Sequence, residues 1–293
     1  MLDTTFEDSL QSFWSNTRKD RYLSEKIISD FKKHFPVILD SFKSHGPLDI
    51  LDIGSGTGNT TCKLFRKLKN ITGKRLCIEA LDPCQKWNMY YQIQARKNRI
   101  SRGLRRIINN KWENFCSEKR YNFIIACHSF YGIRDWDCLN SKHANGNMLK
   151  KIFHYLRPNG IACIILESRS NTIRKMRQRF IPVIHKVPYF SLDNFLASLK
   201  HIGLNYELTE NTKASVNITE IMPINRKIGQ IKKGMVSLLS FFLLVPPKDY
   251  ERIITRKLQK EIDEFLLNYA VKCSNGLKYM LSDNDLLIWI TKN

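Results

Sequence analysis

Residues 51–58 read Leu51-Asp52-Ile53-Gly54-Ser55-Gly56-Thr57-Gly58. The apolar run Leu48–Leu51 leads into them, an acid precedes three alternating glycines, and a second acid, Asp82, closes the next apolar run. This spacing predicts a strand, a glycine turn, a helix over about Asn59–Leu68, and a second strand ending in a carboxylate. Gly54 and Gly56 reach backbone angles closed to residues with side chains, and they let a ligand touch the main chain. The helix after the turn offers free N–H groups to a polar ligand. A carboxylate at the tip of the second strand is placed to accept both hydroxyls of a ribose.

The spacing separates ligand classes. A dinucleotide fold needs G-x-G-x-x-G, so that a pyrophosphate rests on the helix start. Here the pattern is G-x-G-x-G with Asp52 inside the strand, and no Gly-Lys-Ser/Thr follows to make a P-loop. A bare βα turn would explain the glycines alone. Acids on two successive strands point instead to an adenosyl ligand.

The 293 residues suit one large α/β domain with additions, and 43% hydrophobic residues suffice for a full core. The eight cysteines show no C-x-x-C and no metal-like spacing with histidine, so reduced thiols, a cytoplasmic location and no metal are expected. The acidic start MLDTTFEDSL does not resemble a signal peptide. The longest apolar run, Met235–Val245, is about half of a membrane span and reads as a buried helix or cap.

The net charge is +21. Its densest clusters are Arg96–Arg106, Arg169–Arg179 and Arg226–Lys233, and no aromatic stacking motif is interleaved with them. A nucleic-acid partner is compatible with this charge, but a generally basic composition explains it equally well and is preferred. The chain is expected to be a monomer acting on a small molecule.

Residues 5–44 read as helical, with Pro36 dividing or kinking the segment. Strands are predicted at about Asp49–Ile53, Arg75–Leu81, Leu104–Ile108, Tyr121–Cys127, Ile161–Leu166, Leu204–Leu208 and Leu286–Ile290, with helices between them. Arg157-Pro158-Asn159-Gly160 reads as a turn, and Ser191 and Gly203 as the two caps of a helix. The alternation predicts a parallel sheet with crossover helices. The division is a helical segment 1–46 covering the pocket and a domain 47–293. A helical cap over about 212–280, inserted between strands six and seven, is too long for an ordinary loop.

On Asp52, the three glycines and Asp82, the chain resembles the class I S-adenosylmethionine-dependent methyltransferases. The resemblance implies a Rossmann-like sheet of seven strands with the last antiparallel, and S-adenosyl-L-methionine as cofactor. It implies a cofactor site of Asp52, Gly54, Ser55, Gly56, Gly58 and Asp82, with Trp112 near adenine and Cys127 at the end of strand four.

After strand four the chain reads Cys127-His128-Ser129-Phe130-Tyr131-Gly132-Ile133-Arg134-Asp135-Trp136. The Asx-Pro-Pro-aromatic motif of amino-base methyltransferases is absent, and Cys127 lacks the proline of a cytosine-C5 nucleophile. Asp135 and Asp137 read as a helix start. From Tyr121 to the Ser282-Asp283-Asn284 turn, the order of motifs is similar to that of the histamine N-methyltransferase family. That resemblance implies N-methylation of a small amine, with His128 and Tyr131 as catalytic residues. It implies a substrate pocket of Phe6, Phe13, His128, Tyr131, Asp283 and Asn284. The family's amino-terminal substrate glutamate is not matched, since Leu23 stands in register with it. An amine must lose its proton before attack, and imidazole titrates near neutrality, which suits His128 as a base. A methyltransferase of RNA or protein, using the basic surface, is the alternative.

Overall fold

The structure of the protein, a computed structural model, describes residues 6–44, 46–132, 147–225, 228–230, 233–273 and 278–292. The chain forms two compact units, each assembled from three separate stretches.

The larger unit comprises Asp20–Leu166, Ser191–Asn211 and Asp285–Asn293. Its strands are β1 (Leu48–Ile53), β2 (Leu76–Leu81), β3 (Leu104–Ile108), β4 (Tyr121–Cys127), β5 (Leu156–Glu167, whose last residue belongs to the smaller unit), β6 (Tyr206–Asn211) and, last in the chain, β10 (Asp285–Lys292). They form one sheet in the order β3-β2-β1-β4-β5-β10-β6. β1 runs parallel to β2 and β4, while β10 pairs antiparallel with β6. The expected seven-stranded sheet, with its last strand antiparallel, is therefore present. β2 is buried along its whole length, which is why LCIEAL reads as an apolar run rather than an alternating one.

Helices α2 (Lys19–Lys33), α3 (Pro36–Ser44), α4 (Thr61–Thr72), α5 (Gln85–Lys97), α6 (Asn147–Tyr155) and α8 (Leu192–His201) accompany this sheet. Leu23, Ile27 and Phe31 recur at helical spacing along α2 and are fully buried. Phe31 meets the rings of Phe123 on β4 and Trp289 on β10, each at 5.4 Å. α2 and α3 thus contribute to the sheet's own core, and the larger unit begins at Asp20. Burial among these apolar groups also gives Leu23 its place in that core.

Arg157-Pro158-Asn159-Gly160 is not a turn before a strand but an irregularity inside β5. Asn159 takes a positive φ of 58°, and the register against β4 shifts between Tyr121 and Phe123. Ser191 does cap α8, its Oγ accepting from Asn194 N–H at 3.2 Å.

The smaller unit comprises Met1–Lys19, Glu167–Phe190 and Thr212–Asn284. It holds α1 (Phe6–Ser15), α7 (Thr172–His185), α9 (Lys233–Leu243), α10 (Tyr250–Ile253) and α11 (Arg256–Tyr269). A three-stranded sheet, which the sequence reading did not anticipate, joins β7 (Ser215–Asn217), β9 (Tyr279–Ser282) and β8 (Val271–Lys272) in that order. Its core gathers Phe13, Met176, Phe180, Leu239, Phe242 and Phe265, and Phe13 stacks on Phe241 at 4.3 Å.

Candidate functional site

The turn after β1 is built on three left-handed glycines, with φ of 61° at Gly54, 51° at Gly56 and 73° at Gly58. They are glycines for different reasons. A β-carbon on Gly54 would overlap that of Ser129, just past β4. One on Gly58 would lie 2.7 Å from the Tyr91 ring and 2.9 Å from Cys62 Sγ. At Gly56 a β-carbon would meet Trp87 Cε3 at 3.8 Å and Gly54 O at 4.0 Å, ordinary contacts, so its left-handed φ and not crowding is what asks for glycine there. Two bonds hold the turn in shape: Ser55 N–H donates to Leu81 O at 3.0 Å and Gly58 N–H to Ser55 O at 3.1 Å.

Asp82 stands at the tip of β2 and closes on this turn. Its Oδ2 accepts the Gly56 N–H at 2.9 Å and its Oδ1 accepts the Cys84 N–H at 2.8 Å. Burial raises its carboxyl above the usual range, against those two hydrogen bonds. Each carboxylate oxygen can accept a second donor, so the group keeps capacity for a pair of hydroxyls.

Asp52 lies beneath the turn, fully buried, and Tyr91 on α5 donates its hydroxyl to Oδ2 at 3.0 Å. Burial pushes this carboxyl up to about 7. The Thr61 hydroxyl also favours its charged form. Ser55 Oγ, Trp87 Nε1, Asn88 Oδ1 and Ser129 Oγ, all buried, have no partner. Buried polar atoms are rarely left unpaired in folded proteins, and orphans gathered on neighbouring segments mark a site that a polar ligand completes.

A second group forms at the carboxyl end of β4. Cys127 ends that strand, half-buried and in register with Ile165 of β5. His128 follows with φ of 55° and donates its N–H to Ile165 O at 3.0 Å. Its Nδ1 is 3.4 Å from the Tyr131 hydroxyl, with the two rings stacked at 6.1 Å. Its Nε2 is 3.2 Å from Oδ1 of Asp285, the buried first residue of β10. The helical turn Phe130–Gly132 that carries Tyr131 is anchored by Phe130, whose ring meets Phe195 of α8 edge-on at 5.5 Å.

The larger unit therefore brings together Asp52, Gly54, Ser55, Gly56, Gly58 and Asp82 in one cradle, and His128 with Tyr131 at a neighbouring strand end. Trp112 is buried beside Phe115 and Tyr155, with Lys151 Nζ 4.7 Å above its ring and its indole N–H donated to Met148 O at 3.3 Å.

The remaining expected residues belong to the smaller unit. Phe6 opens α1, and Phe13 lies in that unit's core. Asp283 pairs with Lys19 at 2.8 Å, both buried, and accepts from Asn171 at 2.9 Å. Asn284 donates to Ser170 Oγ at 2.9 Å. Asp135 and Asp137 lie outside the described residues. Sequence reasoning missed Tyr91 and Asp285. A tyrosine on an amphipathic helix carries no signal of its own, and Asp285 is hidden in a polar turn whose two preceding residues drew attention first.

The profile of a family described as a methyltransferase domain matches residues 19–209. None of the curated proteins compared matches the chain. Among solved structures, the YcgJ protein of Bacillus subtilis superposes with a TM-score of 0.50 at 12% identity, over 88% of this chain and 97% of that one. A SAM-dependent methyltransferase from Geobacter sulfurreducens in complex with S-adenosyl-L-homocysteine gives a TM-score of 0.45 at 11% identity, over 88% and 91%. One from Thiobacillus denitrificans, in complex with the same molecule, gives 0.43 at 12% identity, over 91% and 98%. The narrower resemblance to histamine N-methyltransferases receives no support from these matches.

Proposed function

The chain belongs to the methyltransferase-domain family, a class of S-adenosylmethionine-dependent enzymes, and on that premise we propose that it N-methylates a small amine. The observation that carries the reading is the Asp82 carboxylate drawn onto the Gly56 N–H at 2.9 Å, at a turn of three left-handed glycines. A ribose needs a two-acceptor carboxylate at the strand tip, and the rest of an adenosyl ligand needs backbone it can touch. When bound, S-adenosylmethionine supplies a methyl carbon made electrophilic by its sulfonium.

The protein's own part is modest and physical. Gly54, Gly56 and Gly58 give the turn its path, and Asp82 grips. The unpaired Oγ atoms of Ser55 and Ser129 are polar groups left for the ligand's amino and carboxylate end. Alignment of acceptor and methyl supplies most of the rate in an in-line displacement, because it removes the entropy of bringing two molecules together. The acceptor must also present a lone pair. His128 and Tyr131, at the carboxyl end of β4, are the groups we assign to that deprotonation, which favours an amine over a carbon acceptor.

Titrating the full chain with S-adenosylhomocysteine should give saturable binding. A panel of metabolites with labelled S-adenosylmethionine should then yield a methylated amine at a rate indifferent to salt. No binding would overturn the cofactor assignment. Transfer to RNA alone, falling steeply with salt, would replace the amine with the polyanion that the +21 charge also suits.

A further inference from the structure

We propose that Asp285, His128 and Tyr131 form a proton relay in which the Tyr131 hydroxyl, rather than the imidazole, meets the methyl acceptor. The proposal deepens the methyltransferase reading and rests on it. It comes from the two sides of one ring. Nε2 of His128 faces Asp285 at 3.2 Å and Nδ1 faces the Tyr131 hydroxyl at 3.4 Å. An imidazole with a carboxylate on one nitrogen and a phenol on the other has no nitrogen left to approach a substrate directly.

The chemistry of each partner sets the direction. A carboxylate only accepts, so Asp285 calls for the hydrogen on Nε2. That leaves the Nδ1 lone pair toward Tyr131, which can donate to it. Asp285 is fully buried at the start of β10, a strand paired with β6 from Asp285 to Ile290. Its position is therefore set by the sheet and not by a loop. His128 is held in turn by its N–H on Ile165 and by a left-handed φ of 55°, a conformation that a β-bearing residue adopts only at a cost. Neither approach to the ring is aligned as tightly as a mature catalytic hydrogen bond; the Nε2–Asp285 pair is close without being bonded. Such contacts commonly tighten only when substrate arrives.

The step balances within the protein. The acceptor's N–H bond breaks, its proton goes to the Tyr131 oxygen, and the bonding pair stays on nitrogen as the lone pair used in attack. The hydroxyl's own proton passes to Nδ1 of His128. The ring becomes an imidazolium facing the Asp285 carboxylate, and Tyr131 is restored as a phenol. Tyr131 is then the catalytic residue, with His128 as proton store. Asp285 is a positioning residue that fixes the tautomer and stabilises the charged ring.

The first test needs no ligand. In protein labelled with ¹⁵N-histidine, with the signal assigned by its loss in His128→Gln, His128 should carry its hydrogen on Nε2. A ring protonated on Nδ1 would overturn the proposal. Asp285→Asn, whose amide can present a donor to Nε2, should move the hydrogen to Nδ1. It should also lower kcat by about a hundredfold or more, the scale of general-base loss, at unchanged S-adenosylhomocysteine affinity. Unchanged kcat would overturn the relay. Tyr131→Phe should lose as much as His128→Gln, and the double variant no more than either, because the residues act as a unit. Additive losses would count against it. If the wild-type chain bound no S-adenosylhomocysteine, the methyltransferase reading would fail, while the tautomer measurement would still decide this one.

Discussion

Replacing Gly54 by alanine isolates the contact between the glycine turn and the segment after β4. Two costs arise. The residue sits at φ of 61°, where an alanine is disfavoured by about 1–2 kcal/mol. Its new β-carbon would also overlap that of Ser129, with Ser129 Oγ at 3.0 Å and Cα at 3.5 Å. Overpacking of that kind costs about 1–3 kcal/mol, so the total is about 2–5 kcal/mol. The two terms separate in a double-mutant cycle. Ser129→Gly removes the overlapping atoms and leaves only the Cα at an ordinary 3.5 Å, so it should recover the packing term and none of the backbone term. Urea midpoints of the wild type, both single variants and the double variant give a coupling energy, expected at about 1–3 kcal/mol. A coupling near zero would show that Gly54 is required for φ alone, and that the turn and the β4 end do not press on each other.

Asp82→Asn should weaken S-adenosylhomocysteine binding at least about tenfold in calorimetry, since a charge-assisted acceptor is lost; equal affinity would remove Asp82 from the site. Asp52 gives a pH signature. Its carboxyl rises from an ordinary 3.8 to about 7 on folding, so the folded chain binds the extra proton between those values, and this group's contribution to stability falls as pH rises through that window. Asp52→Asn should therefore gain stability over the wild type at pH 8 compared with pH 4, by on the order of 4 kcal/mol at most, read from urea midpoints at the two pH values. A difference that does not change with pH would refute it. Asp283→Ala removes the acceptor shared by Lys19 and Asn171 inside the smaller unit and should cost about 3–5 kcal/mol in chemical unfolding.

The glycine turn and the acid that closes on it were legible because their logic is local. Asp52, the glycines and Asp82 are separated by one helix, and each residue type answers to a backbone or charge requirement of the turn itself. β4 was legible for the same reason, since YNFIIAC has no other use than a buried strand. What escaped the sequence depends on distant neighbours. Nothing near Gly54 announces that Ser129 will press on it. The resemblance drew attention to Asp283 and Asn284, whereas the carboxylate that faces His128 is Asp285. One or two residues separate a turn in the smaller unit from the first residue of a strand in the larger one. The break between α1 and α2 at 16–18 has no glycine or proline to mark it. It exists because Thr17 bridges Val216 there. The strands of the small sheet span two to four residues, too short for a period-two pattern to show.

The interleaving of the two units bears on how the chain is made. α1 is synthesised well before α9, which packs against its apolar face, and the Thr17 hydroxyl just beyond α1 binds a carbonyl 198 residues further on. α1 thus waits for α9, and closing so long a loop is slow. Nascent chains released before α9 is complete would carry Phe13 without its Phe241 partner, and exposed apolar surface of that kind favours aggregation.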